Sequence, residues 1–234
     1  MTKIFALSLS IISCASAVLA QATTCPPVPS NTISIGEPVP TNPADIPGGC
    51  SAYEILVARG TSEPGKFGFI VGDNLVGNVS QVLPGARGYP VQYPASIDVL
   101  GGGRQGRLDI INRLISQSLR CPTQKFALVG YSQGASIMHQ AVAELPISLY
   151  PKISALCMFG DPNLRLGILG DRFPLALRSK VLQSCAKGDL VCDTGSCEFW
   201  HLVYGRPEWI NRATNFIVSA FRGTPLPPST TVGI

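Results

Sequence analysis

Apolar and amphipathic stretches alternate along most of the chain. Short, strand-like apolar runs fall at Tyr53–Ala58, Val91–Tyr93, Phe126–Gly130, Ile153–Phe159 and Val181–Ser184. Apolar positions recur at helical spacing near Phe69–Leu83, Arg107–Leu119, Ala135–Glu144 and Trp209–Phe221. Strands separated by helices in this way predict a parallel sheet covered on both faces, because each crossover helix must bury its apolar stripe against the sheet. Five such strands predict one doubly wound α/β domain with a mostly parallel central sheet. No internal repeat points to a solenoid.

The two ends break the pattern. Residues 1–20 read Met-Thr-Lys, then an apolar run from Ile4 to small residues at Val18 and Ala20, which is the form of a secretory signal peptide cleaved after Ala20 or Ala22. Residues 21–49 are crowded with Pro, Thr, Ser and Gly and predict an extended arm over the surface. Residues 224–234 carry three prolines without periodicity and predict a disordered tail. The domain is thereby bounded to 50–223. After the leader no apolar run reaches the roughly 18 residues that span a bilayer, so a secreted, soluble protein is expected.

Composition narrows the class. With 45% hydrophobic and 14% charged residues, 234 residues suffice for one full core. Seven of the eight cysteines remain after the leader, in a compartment that permits disulfides, and an odd count leaves at least one unpaired or paired between chains. Cys157 is the expected free thiol, because its run reads as a buried strand. The formal charge of +4 falls to +3 once Lys3 leaves with the leader, and Lys and Arg are not clustered, so nucleic acid is not an expected partner. Asn78-Val79-Ser80 is a formal glycosylation acceptor within a helical pattern.

The sharpest chemical signal is Gly130-Tyr131-Ser132-Gln133-Gly134, placed between the strand-like Lys125–Val129 and a helical segment starting at Ala135. A serine on a strained strand-to-helix turn presents its hydroxyl at the carboxyl edge of the sheet, and glycines flank it where side chains would collide. This is the nucleophile elbow of the α/β-hydrolase fold. A serine hydroxyl needs an adjacent base, and the chain offers His139 and His201. His139 lies seven residues along the same helix, roughly 10 Å up the axis, and is expected to be a surface or packing residue. His201 lies in the loop-like Phe199-Trp200-His201-Leu202 before the last helix, where the order serine, acid, histidine places the base.

The acid then comes from Glu144, Asp161, Asp171, Asp189, Asp193 or Glu198. Asp189 is favoured: it follows the strand-like Lys180–Ser184, in a short loop between Cys185 and Cys192 that a bridge would stiffen, and a rigid carboxylate fixes a histidine tautomer. Asp161 is second, with Pro162 behind it suggesting a turn. For the oxyanion, Gln133 offers the backbone N–H after the nucleophile, and the loop Ala58–Gly65 offers a second donor at Thr61 or Ser62.

At these residues the sequence resembles the cutinase family of secreted esterases, which includes acetylxylan esterases. The resemblance covers about Cys50 to Phe221. It rests on Ala58-Arg59-Gly60-Thr61, Cys121-Pro122, the Ser132 motif, Gly188-Asp189-Leu190-Val191-Cys192 and His201-Leu202-Val203-Tyr204-Gly205. It implies an α/β-hydrolase without a lid domain and a Ser132, His201 and Asp189 triad. It also implies an oxyanion hole at Thr61 and Gln133, and disulfides Cys50 to Cys121 and Cys185 to Cys192. Cys25 and Cys197 are then candidates for a third pair.

The expected activity is hydrolysis of carboxylic esters through an acyl-enzyme by a monomer, with no metal or cofactor, on a cutin-like polyester or an acylated polysaccharide. Phe199, Trp200 and Leu202, with Pro174, Leu175 and Leu177, are expected to form an apolar rim for acyl chains. Gly160-Asp161-Pro162, the long arm and the extra cysteine near Asp193 depart from the cutin-degrading pattern and keep acetylxylan esterase as an alternative. A non-catalytic secreted effector or binding protein on the same fold is the alternative of another class. No insertion is long enough for the helical lid of an interfacial lipase.

Overall fold

A computed structural model describes residues 25–28, 37–98, 101–170 and 173–227. The signal segment, Asp171 and the last residues of the tail lie outside these. Five strands, β1 (Tyr53–Ala58), β2 (Ala86–Pro90), β3 (Lys125–Tyr131), β4 (Ile153–Phe159) and β5 (Val181–Ser184), form a parallel sheet in the order β2-β1-β3-β4-β5. The helices are α1 (Asp73–Val82), α2 (Gly101–Arg120), α3 (Gln133–Glu144), α4 (Glu198–His201) and α5 (Pro207–Arg222).

Strands buried on both faces need apolar residues at odd and even positions alike, which is why their runs are unbroken. On one face Ala127 and Val129 of β3 and Ala155, Cys157 and Phe159 of β4 pack under α1 and α5. On the other, Phe126, Leu128, Leu156 and Met158 meet Ile110 and Leu114 of α2 and Ile137, Met138 and Val142 of α3. α5 buries Trp209, Ile210, Ala213, Phe216, Ile217 and Phe221, a stripe at helical spacing. Pro207 opens this helix, and Gly223 closes it with a left-handed φ of 70°.

The second strand is a correction. Val91–Tyr93 is expected to be that strand, but pairing runs from Tyr53 with Ala86 to Val57 with Pro90. Val91 makes one last bond, its N–H to the Val57 carbonyl at 3.0 Å, before the chain leaves the sheet. Val91 and Tyr93 are apolar because they are buried in the α2–α3 core, whereas β2 is an edge strand containing Arg87 and Gly88. Burial and pairing have separated here, and apolarity reports burial. α2 likewise starts earlier than Arg107, at Gly101, through glycines of low helix propensity.

Three disulfides join Cys50 to Cys121, Cys185 to Cys192 and Cys25 to Cys197, and Cys157 is free and buried. The end of the arm is held by charge. Buried Glu54 pairs with Arg87 and Arg113, whose guanidinium groups also donate to the carbonyls of Pro47, Gly48 and Gly49.

The Cys50–Cys121 bridge ties the approach to β1 to the end of α2 across 71 residues of chain. Replacing both cysteines by alanine should lower unfolding free energy by roughly 4 kcal/mol in the chain-entropy account. Urea denaturation with the other bridges intact measures this.

Candidate active site

The step from β1 to β2 and the step from β3 to β4 run in opposite directions, so strand order reverses between neighbours β1 and β3. In parallel α/β sheets the crevice beyond the carboxyl ends of such a pair receives ligands. Ser132 stands at the end of β3, and the loop with Thr61 follows β1.

Ser132 holds φ 53° and ψ −118°, a strained conformation for a residue with a side chain, between the last residue of β3 and the first of α3. The turn is so tight that a Cβ on Gly134 would lie 2.1 Å from the Ala58 carbonyl oxygen, and one on Gly130 would lie 2.6 Å from the Ala135 Cα. Both glycines of the motif are thus set by close backbone approach.

From this turn Ser132 Oγ lies 2.8 Å from His201 Nε2, and His201 Nδ1 lies 2.9 and 3.1 Å from the two Asp189 carboxylate oxygens. His201 does not sit in a plain loop: it ends the single turn of α4. Tyr131 stacks on its ring at 5.2 Å between centroids and donates its hydroxyl to the His201 carbonyl at 2.8 Å. Asp189 is fully buried, accepting N–H bonds from Val191 at 2.6 Å and Cys192 at 3.3 Å and a hydroxyl bond from Tyr204. Burial pushes its carboxyl up, but the His201 hydrogen bond and charge, with the Tyr204 and Val191 bonds, outweigh burial and hold it below the usual carboxylate range.

Ser132 opens into a cleft of about 400 Å³ whose lining includes Thr61, Gln133, Ser136, Ile137, Gln140 and Pro162. Between Thr61 and Ser62 the geometry discriminates. The Ser62 N–H is taken by the Ala95 carbonyl at 2.6 Å and its side chain is buried, whereas Thr61 faces the cleft beside Gln133. The loop is held by Glu63, whose buried carboxylate accepts the Gly60 N–H at 2.7 Å and the Ile70 N–H at 2.8 Å. Arg59 donates to the carbonyls of Glu63, Tyr93 and Val39.

The expected apolar rim does not line this cleft. Leu177 is fully buried in the α2–α3 core. Leu175 is exposed, but it opens the 3-10 turn Leu175–Lys180 that leads into the first residue of β5, the sheet edge away from Ser132. Phe199, Trp200 and Leu202 pack half-buried against the α1–α5 core, with Trp200 bordering a separate hollow beside Lys187, Arg206 and Trp209.

His139 is a buried packing residue with a partner: its ring stacks on Phe173 at 4.0 Å and its Nε2 lies 2.7 Å from Asp161. Asp161 also accepts from the Asn163 N–H and the Gln183 amide, capping the turn that begins at Pro162. Its carboxylate is committed to His139, Asn163 and Gln183. Among the described residues, no three His, Cys, Asp or Glu side chains converge as metal ligands would.

Sequence reasoning passed over Glu63, Tyr204 and Gly160. A Cβ on Gly160 would stand 2.6 Å from His201 Cε1, so this glycine makes room for the imidazole. Tyr204 had one signal, its spacing three residues beyond the histidine.

The family model described as Cutinase matches residues 49–221. Cutinase cut1 of Trichoderma harzianum is 37% identical over 153 residues, covering 62% of this chain and 58% of that relative's length. The solved Trichoderma reesei cutinase, in complex with a phosphonate inhibitor, is 32% identical with a TM-score of 0.63 over 81% of each chain. A solved acetyl xylan esterase is 26% identical with a TM-score of 0.64 over 74% of this chain and 100% of that one.

Glu63 carries a measurable consequence. Burial pushes its carboxyl up to about 7, against the Gly60 and Ile70 N–H groups and the Arg59 charge, from an ordinary 4.5. Between these values the folded chain keeps a proton that the unfolded chain has released, so stability is lost as pH rises through this window. Wild type should lose roughly 3 kcal/mol across it relative to Glu63→Gln, which cannot ionise. Denaturant midpoints of both proteins across pH test this; parallel curves would refute it.

Proposed function

The chain belongs to the cutinase family, and on that premise we propose that it hydrolyses carboxylic esters through an acyl-enzyme formed on Ser132. The observation that carries this reading is the continuous line from Ser132 Oγ through His201 to buried Asp189, opening into a cleft shared with Thr61 and Gln133. His201 Nε2 takes the serine proton as Oγ attacks the ester carbonyl, and Asp189 holds the ring with Nδ1–H towards itself and stabilises the imidazolium. The oxyanion meets the backbone N–H groups of Thr61 and Gln133. Gln133 is the first residue of α3, where N–H groups lack intrahelical partners and the dipole favours negative charge. His201 then gives its proton to the leaving alcohol, and a water activated by the same nitrogen releases the acid.

The substrate is a cutin-type polyester or a short to medium acyl ester, in keeping with the cutinases matched. A second reading has its own observation: the cleft wall is mostly apolar, yet Thr61, Gln133, Ser136 and Gln140 bring hydrogen-bonding groups into it that could meet a hydroxylated leaving group, as in acetylated xylan, and a solved acetyl xylan esterase is among the structures matched. Residues 1–20 direct secretion, 21–49 form the arm and 50–223 the catalytic domain of a monomer. Three disulfides suit an oxidising compartment, and no helix among the described residues is long and apolar enough to cross a membrane.

Ser132→Ala and His201→Ala should each lower kcat for p-nitrophenyl butyrate by at least about four orders of magnitude. Comparing acyl chains from acetate to palmitate, a polyester film and acetylated xylan separates the readings. Cleavage of longer esters and polyester supports the cutinase type; release confined to acetyl groups supports the esterase of xylan. An inert wild type, unlabelled by an organophosphate, would overturn both in favour of a non-catalytic protein.

A further inference from the structure

Asp189 would be held by backbone alone if Val191 and Cys192 were its only partners besides His201, but both of those N–H groups meet Oδ1. The other oxygen, Oδ2, is the one nearer His201 Nδ1, and Tyr204 donates to it. Tyr204 comes from the 3-10 turn Val203–Gly205, immediately after α4. We propose, resting on the triad reading above, that Tyr204 is a positioning residue for catalysis: its hydroxyl fixes the Asp189 oxygen that orients His201 and shares that oxygen's charge with the imidazole.

The direction of the hydroxyl proton is determined by its other neighbours. A phenol oxygen has one proton to give, and the Ala186 N–H already points at its lone pairs from 3.0 Å. The Cys192 sulfur, 3.3 Å away, is bridged to Cys185 and so has no proton to give and is only a weak acceptor, which leaves the hydroxyl proton for the carboxylate. Burial of Tyr204, with the Asp189 charge beside it, pushes the phenol above its ordinary range, so it remains a donor wherever the enzyme would work. Its ring is held edge-on by His201, Tyr131, Phe159 and Trp209, with centroids 5.3 to 6.1 Å away. A donor immobilised in this way loses little entropy on bonding and sets the carboxylate plane more firmly than a mobile one. The His201-Leu202-Val203-Tyr204 spacing also has a physical reading: the end of α4 carries the base, and the 3-10 turn that follows carries the group that holds its acid.

Other charges face this cluster. Asp193 and Lys187 lie on the acid's own loop, with Asp193 bound to the Gly188 N–H; Glu198 lies on α4; and Glu63 acts on Tyr131 from the opposite wall. All are retained in the variants below, so a change in pH dependence reports the altered hydroxyl.

The test uses the full chain with its three bridges. Tyr204→Phe keeps the ring and removes the donor. It should lower kcat for p-nitrophenyl butyrate about tenfold while KM stays close to wild type. The acid limb of kcat/KM should move to higher pH, because a carboxylate without its second donor holds the histidine proton longer. In an Asp189→Asn background the same change should cost nothing further, since Tyr204 acts through that charge. Unchanged kcat and pH profile in Tyr204→Phe would overturn the inference. So would a loss of kcat with an unmoved acid limb that recurs in full beside Asp189→Asn, which describes a merely structural tyrosine. Should the phenylalanine variant not fold, 3-fluorotyrosine at position 204, a stronger donor of almost the same shape, must shift the acid limb to lower pH; an unmoved limb overturns the inference. Full turnover in Asp189→Asn alone would instead bring down the triad reading, and this inference with it.

Discussion

Between β3 and α3 the chain has a single residue in which to reverse from extended to helical, and α3 must then pack back across the end of β1. Ser132 is that residue, at a φ that side chains seldom adopt. The contact that enforces it is the near-touch of Gly134 on the Ala58 carbonyl, which brings the first turn of α3 onto the loop after β1. The Thr61 loop, the cleft and the start of α3 are brought together by that approach. Any bulk at Gly130 or Gly134 would push the helix off the strand and move the serine from its base.

Buried acidic groups are answered locally throughout the domain. Glu54 meets two arginines, Asp161 meets His139 and Gln183, Glu63 takes two backbone N–H groups, and Asp189 takes two more with a phenol and an imidazole. An unpaired carboxylate in such sites would cost several kcal/mol. Two of these four lie near Ser132: Asp189 beside His201, and Glu63 in the loop that carries Thr61. Polar burial is thus concentrated where side-chain and loop geometry is fixed by several hydrogen bonds at once.

That distribution bears on substrate. The cleft beside Ser132 is mixed: most of its exposed wall is apolar, with Ile137 and Pro162 in it, while Thr61, Gln133, Ser136 and Gln140 supply hydrogen-bonding groups. Phe199, Trp200 and Leu202 pack half-buried against the α1–α5 core, where Tyr131 and Tyr204 contact the His201 imidazole and Phe159 and Trp209 contact Tyr204 in turn.

The sequence by itself determined the layered α/β plan, the strand runs at Tyr53, Phe126, Ile153 and Val181, the serine elbow and the histidine and aspartate beside it. These are legible because they rest on local rules: periodicity reports which faces are buried, and a glycine-flanked serine between strand and helix has few other uses. Only the tertiary structure decided that β2 lies at Ala86–Pro90, that Leu177 is core, that Ser62 gives its N–H to Ala95, and that Glu63 and Tyr204 stand behind the site. Each of these depends on which groups meet across long separations, and an apolar or acidic residue carries no mark of its partner until the chain has closed around it.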